Sequence, residues 1–218
     1  KTMINQKKVA ETHIEFNKLK IADRLYVQGN FENELYFNKY RGDLCKIFTP
    51  KQNLIDEKDT LINKIKNSNS VSLHIRRNRF SDQEKLKTTK NINKSENFTN
   101  EIINYINTSL DLVNSKIANP EYFIWTNDHY NISTILNKIK INNYTLINKN
   151  VINDFNLFKY CKHFIVGPSS FHWWGAWLNE NPDKICIRPS KINPSKNINF
   201  RIWWLVQFAL LLNVLRRR

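Results

Sequence analysis

Phe164-Ile165-Val166-Gly167 leads through Pro168 into Ser169-Ser170-Phe171-His172-Trp173-Trp174-Gly175-Ala176-Trp177-Leu178. The first four residues read as a short, buried parallel strand. The rest reads as a tight turn into a helix. Ser169 or Ser170 is the N-cap, and the tryptophans, at helical spacing, face the core or a pocket. Strand, turn and helix in that order make one α/β unit. Open α/β sheets bind ligands at the carboxyl ends of their strands, where the next helix offers unpaired N–H groups to an anion. This segment is therefore a candidate phosphate-side wall of a nucleotide site.

The alternation continues toward both ends of the chain. Val71-Ser72-Leu73-His74-Ile75 reads as a strand, and Arg76 to Lys94 as a polar loop. Phe98 to Ile117 carries Ile102, Ile103, Ile106, Leu110 and Val113 at helical spacing. Tyr122-Phe123-Ile124-Trp125-Thr126 is the next strand. Ile132–Ile139 reads as a helix, Tyr144–Ile147 as a strand and Phe155–Lys162 as a helix. Phe171–Asn179 follows as a helix and Ile185–Ile187 as a strand. Such alternation predicts the α/β class, with a Rossmann-like parallel sheet and helices on both faces. Upstream, Glu32–Ile47 and Pro50–Lys66 read as helices, and residues 1–20 as a polar, helical stretch without a clear strand.

Composition narrows the function classes. A chain of 218 residues with 41% hydrophobic residues can bury a real core. Lys and Arg outnumber Asp and Glu by 34 to 19, giving +15. That balance suits a polyanionic partner, whether nucleic acid, an anionic membrane or a phosphorylated substrate, and equally suits solvated helix faces. Cys45, Cys161 and Cys186 are odd in number and widely spaced, which argues against a disulfide framework and a zinc site and for a reducing compartment. No signal-peptide pattern opens the chain. Its wealth of Asn, Lys and Ile points to an AT-rich, bacterial genome. With four glycines the chain has neither a Gly-x-Gly-x-x-Gly turn nor a Walker loop. It also lacks an Asp-x-Asp pair and any evident Ser-His-Asp or Cys-His arrangement, so hydrolase and phosphotransferase chemistry have little support.

The remaining chemistry sits at the strand ends. Arg76 and Arg77 close the first strand, where two guanidiniums can fork onto phosphate oxygens; an exposed arginine pair on a loop is the plainer alternative. His74 alone reads as a strand histidine. Asp128, after Thr126-Asn127, can bind a sugar hydroxyl, accept a proton or simply cap the next helix. Asp154 reads as a cap in front of its helix.

Taken together, these residues resemble a known family. His74-Ile75-Arg76-Arg77 resembles the His-x-Arg-Arg signature of the bacterial α-1,2-fucosyltransferases, glycosyltransferase family 11. Asp154-Phe155-x-Leu157-Phe158-x-x-Cys161-Lys162-His163, then Ser169-Ser170-Phe171-x-Trp173-Trp174-Gly175-Ala176-Trp177-Leu178-Asn179, resembles its second signature, and the match runs on through Asn181-Pro182-Asp183-Lys184. Gly29-Asn30-Phe31-Glu32-Asn33 with Tyr36-Phe37 is similar to a further family segment, so the resemblance covers about Val27 to Pro189. It implies the donor-binding half of a GT-B fold. It also implies transfer of L-fucose from GDP-β-L-fucose to the 2-hydroxyl of a galactose in a surface glycan or lipopolysaccharide. That transfer inverts the anomeric centre and needs no metal and no cofactor beyond the donor substrate. Negative charge building on the diphosphate must then be met by guanidiniums and helix N-termini. The expected catalytic groups are Arg76, Arg77 and Asp128. His74, Asn127, Ser169, Ser170, Phe171 and Trp173 are expected to join them around the donor, with the tryptophans more core than sugar platform.

The chain departs from the family pattern in three places. A Gly-rich front portion with a Gly-Gly-x-Gly-Asn-Gln motif has no counterpart. The expectation is therefore acceptor-side helices over 1–68, a GDP-fucose-binding domain over 69–199 and a tail over 200–218. Asn78-Arg79 stands where Gly-Asp is usual, removing a carboxylate that can orient an arginine or a donor hydroxyl. Asn127 and His172 replace the more usual Asp and Ser. The tail, Ile202–Leu215 then Arg216-Arg217-Arg218, falls short of the ~20 apolar residues of a spanning helix. It suits an interfacial helix anchored by its arginines, in a protein of the cytoplasm or of the inner face of the membrane, or an out-of-frame ending. The alternatives to an active transferase are an inactive truncated remnant and a basic nucleic-acid-binding protein. The latter would display aromatics on a basic face, whereas here they sit in apolar strands and helices.

Overall fold

The computed structural model describes residues 2–5, 25–28, 37–48, 60–81, 83–149 and 151–189. They divide into two compact units, one with the described residues up to Ile47 and one with those from Phe48 to Pro189.

In the first unit, β1 (Thr2–Asn5) and β2 (Leu25–Gln28) pair in parallel from Thr2↔Leu25 to Asn5↔Gln28. This corrects the expectation that the first twenty residues hold no strand. Four residues are too few to set up a visible alternation, and the partner strand lies some twenty residues on. A 3₁₀ turn, Asn38–Tyr40, leads into α1, Arg41–Ile47. The helix expected over Glu32–Ile47 is thus shorter where described, and Glu32–Tyr36 lies outside the described residues.

The second unit is an α/β sheet of five parallel strands. α2 (Thr60–Asn67) precedes β3 (Asn69–Ile75), and most of the upstream helix expected from Pro50 lies outside the described residues. There follow α3 (Thr89–Lys116), β4 (Pro120–Thr126), α4 (Ser133–Leu136), β5 (Tyr144–Leu146), α5 (Val151–Lys159), β6 (His163–Ile165), α6 (Ser170–Leu178) and β7 (Cys186–Ile187). The strand order is β5-β4-β3-β6-β7. The chain therefore winds one way from β3 through β5, then crosses back to lay β6 on the other side of β3. Adjacent β3 and β6 mark the switch point, where the connections diverge and leave a crevice at the carboxyl ends.

β3 lies at the centre and divides its side chains by alternation. Val71, Leu73 and Ile75, fully buried, meet Ile102, Ile106, Leu110 and Val113 of α3 in the main core. The other face of β3 carries Ser70, Ser72 and His74, and is covered by α5 and α6. Those two helices approach so closely that a β-carbon on Gly175 would lie 1.8 Å from the Phe158 ring.

Three helices of this unit differ from expectation, α5 by starting at Val151 and ending at Lys159 rather than running from Phe155 to Lys162. α3 starts at Thr89, inside the expected polar loop, with the Thr88 hydroxyl accepting from the Asn91 N–H at 3.3 Å. Tertiary contacts hold this polar turn helical. Buried Ser95 accepts from the Phe80 N–H and bonds the Ser81 hydroxyl, while Phe80 meets Phe98 edge-on. α4 is a single turn because the chain tightens to i→i−3 bonds at Lys138 and Ile139. Among the described residues, no helix is long and apolar enough to cross a membrane, and the 200–218 tail lies outside them.

Candidate functional site

At the switch point the β6–α6 turn presses directly onto the end of β3. A β-carbon on Gly167 would stand 2.3 Å from the His74 carbonyl oxygen, so only glycine fits. His172, in the first turn of α6, pins the two elements together. Its Nδ1 accepts from the Gly167 N–H at 3.3 Å, which leaves the proton on Nε2 to be donated to the Ser72 hydroxyl at 2.7 Å. The His172 and His74 rings stack with centroids 5.2 Å apart. Burial, then the Arg76 charge, lowers the His74 pKa to about 4. Burial, then His74, holds His172 well below its ordinary value. Both rings are therefore neutral at pH 7. Arg79 adds a second tie from the β3 side, donating to the Pro168 carbonyl at 3.1 Å.

Ser169 occupies the N-cap position of α6 with extended backbone, but its hydroxyl makes no capping bond. The first bond of the helix runs from the Trp173 N–H to the Ser169 carbonyl at 3.0 Å. The N–H groups of Ser170, Phe171 and His172 precede it and carry the positive end of the helix dipole. Phe171 packs on Phe155 and Phe158, and Trp173 is buried against Trp177, so both serve the core under the turn.

The two arginines after β3 differ in what holds them. Arg77 is held through its Nη1 and its backbone. Its guanidinium donates to Asp128 Oδ2 and to the Asn131 carbonyl, both at 3.0 Å. Its backbone N–H donates to the Asn127 side-chain oxygen, and Asn127 Nδ2 returns a bond to the Arg77 carbonyl. Asn127 thereby fixes the backbone of the arginine. Asp128 is equally occupied, with Oδ1 accepting from the Asn131 N–H and Oδ2 from Arg77 and Asn78. Asp128 thus caps a turn and anchors Arg77, with no oxygen left idle. Arg76 follows β3 directly and lies close enough for its charge to act on His74.

Asn78 has φ 53°, a left-handed conformation that asparagine tolerates better than other side-chain-bearing residues. Asn78 thus holds a backbone conformation that glycine also adopts readily. Sequence reasoning missed how Asp154 is placed. It lies inside α5, in the first turn, rather than in front of the helix. Burial raises its pKa, and the neighbouring Lys149 backbone N–H, His129, Trp125 and the Lys149 charge lower it in part. Among the described residues, no group of three or more His, Cys, Asp or Glu side chains is placed to hold a metal ion.

A five-stranded parallel sheet with the β6–α6 turn pressed onto the end of its central strand defines an α/β protein of Rossmann-like architecture. The sequence model of glycosyl transferase family 11 matches residues 5–206, and the chain belongs to that family. The chain is 31% identical to an alpha-1,2-colitosyltransferase of Escherichia coli over 166 residues, covering 74% of this chain and 54% of that protein. It is 24% identical to the O-antigen biosynthesis glycosyltransferase WbnK of Escherichia coli over 190 residues, covering 80% and 57%. The chain thus spans about half the length of the curated relatives it matches. No solved structure matches it.

Proposed function

We propose that this chain carries the donor-binding half of a GT-B glycosyltransferase that makes an α-1,2 linkage in a bacterial surface glycan. The observation that carries this reading is the β6–α6 turn pressed onto the end of β3 at Gly167 and His74, two residues before Arg76. The donor is GDP-β-L-fucose, and the acceptor is the 2-hydroxyl of a galactose. That hydroxyl attacks the anomeric carbon as the bond to the diphosphate breaks, with inversion. The acceptor gives up its proton, and GDP takes the bonding pair. The charge that builds on the leaving diphosphate meets the Arg76 guanidinium and the N–H groups of Ser170 to His172, which need no reorganisation as the charge develops. Arg77 acts through the loop, holding the Asn127–Asn131 turn beside the donor. The colitosyl-transferring relative favours a second donor reading, a GDP-linked colitose at the same site.

Calorimetric titration of GDP against GMP and ADP, at moderate salt without divalent metal, tests the donor site. Preferential GDP binding is expected. Absence of binding by every nucleotide would reduce the reading to ancestry and leave the inactive remnant. Transfer assays with GDP-fucose and GDP-colitose then separate the two donors.

A further inference from the structure

The β6–α6 turn begins where the sheet stops holding the chain. Both ladders of β6 end at Ile165, which pairs with Leu73 of β3 on one side and Ile187 of β7 on the other. Beyond it, side chains take over. His172 accepts from the Gly167 N–H on the α5–α6 side of the sheet, and Arg79 donates to the Pro168 carbonyl. A third hold comes from α3, on the opposite face. Tyr105, near the middle of that helix, packs against the main core, as do Ile185 and Ile187. Its hydroxyl reaches the Val166 carbonyl at 3.0 Å and the Ile187 carbonyl at 2.9 Å. Val166 directly precedes Gly167, and Ile187 is the last residue of β7. The Val166 N–H donates to the same Ile187 carbonyl at 2.7 Å. A phenol carries one proton and a carbonyl only accepts, so Tyr105 serves one strand end at a time and can turn to either. Burial, then Cys186, raises the Tyr105 pKa well above its ordinary value, so the phenol keeps that proton at neutral pH.

We propose that Tyr105 is a positioning residue for the anion-binding turn. Its hydroxyl holds Val166 against the end of β7 and so fixes where α6 presents its first N–H groups. Tyr105 acts through the backbone and not by touching the donor. This inference rests on the donor-site reading above.

Tyr122 supplies the control. It packs into the same core, and its hydroxyl donates to Asn114 Oδ1 of α3 at 2.7 Å, from the amino-terminal half of β4. The test uses the full chain with Tyr105→Phe and Tyr122→Phe. Each keeps the ring and loses one buried hydroxyl, so each should lose some stability in urea. Only Tyr105→Phe should speed amide hydrogen exchange over Val166–His172, as a local opening of the turn. Only Tyr105→Phe should weaken binding of inorganic pyrophosphate and GDP, by roughly three- to tenfold, the equivalent of one hydrogen bond. The two probes should lose the same factor, because the turn serves the diphosphate and not the base. If Tyr105→Phe binds both probes as the wild type does, or exchanges over the turn no faster than Tyr122→Phe, the positioning role is overturned and the donor reading stands. A wild type that binds neither probe overturns both.

Discussion

Arg76 and Arg77 look equivalent in the sequence but are not. Arg77 is committed to Asp128, with side chains 20% and 11% exposed, so truncating it leaves a largely buried carboxylate without its cation. Arg77→Ala should lower folding stability by about 1–3 kcal/mol in urea denaturation. Arg76→Ala should weaken GDP binding by about 1.5–3 kcal/mol. The stacked histidines set a pH dependence. An unfolded histidine takes a proton near pH 6.5, but buried His74 resists until about 4, and His172 is likewise held well below its ordinary value. The unfolded chain therefore binds more protons in this window. Stability present above pH 6.5 should drain away as pH falls toward 4, on the order of 3 kcal/mol for His74 alone. Asp154 acts in the opposite sense, since its raised pKa favours the folded state on acidification. An Asp154→Asn variant should thus lose stability more steeply on acidification than the wild type. A flat profile in both proteins would show that the histidines are not held neutral by the fold.

At the scale of elements, two glycines set distances that matter to the site. Gly175 lets α6 lie against Phe158, which is fully buried and wedged between Trp125 and Phe171. With the ring unable to retreat, Gly175→Ala should push α5 and α6 apart and cost about 1–3 kcal/mol, read as a lowered Tm. Gly167→Ala meets a backbone carbonyl rather than a ring, so the β6–α6 turn must lift off β3. It should therefore weaken GDP binding as well as stability, whereas Gly175→Ala should act mainly on stability. The strands of the five-stranded sheet were legible from their apolar runs, whereas β1 and β2 were not. The start of α3 was not, because Thr89 to Glu96 carries a helix that only Ser95 and the Phe80–Phe98 contact explain.

The whole molecule carries +15, and its partner is expected to be an anion. GDP affinity should fall modestly as salt rises from about 0.05 to 0.5 M, since screening shortens the reach of exposed charges more than that of Arg76 at the sheet edge. A nucleic-acid-binding protein of the same charge would lose orders of magnitude over that range, because every neutralised phosphate adds to the slope. Comparing GDP with a generic oligonucleotide across salt separates the two. The aromatic residues already argue against display to nucleic acid, as Phe158, Phe164, Trp173 and Trp177 are buried.

The sequence by itself determined the α/β alternation and the position of the chemistry at the strand ends. Both follow from local periodicity and from turn residues that act over a few positions. It also carried the family, through side chains whose spacing is fixed within single segments. The tertiary structure alone decided which of those side chains are occupied. Arg77 meets Asp128 across 51 residues, and Ser72 meets His172 across 100, so neither pairing leaves a trace in local pattern. It also engaged both oxygens of Asp128, with Arg77, Asn78 and Asn131. Whether a carboxyl is satisfied or left open depends on what the fold brings beside it, and burial is a property of the packed sheet and not of any one stretch of chain.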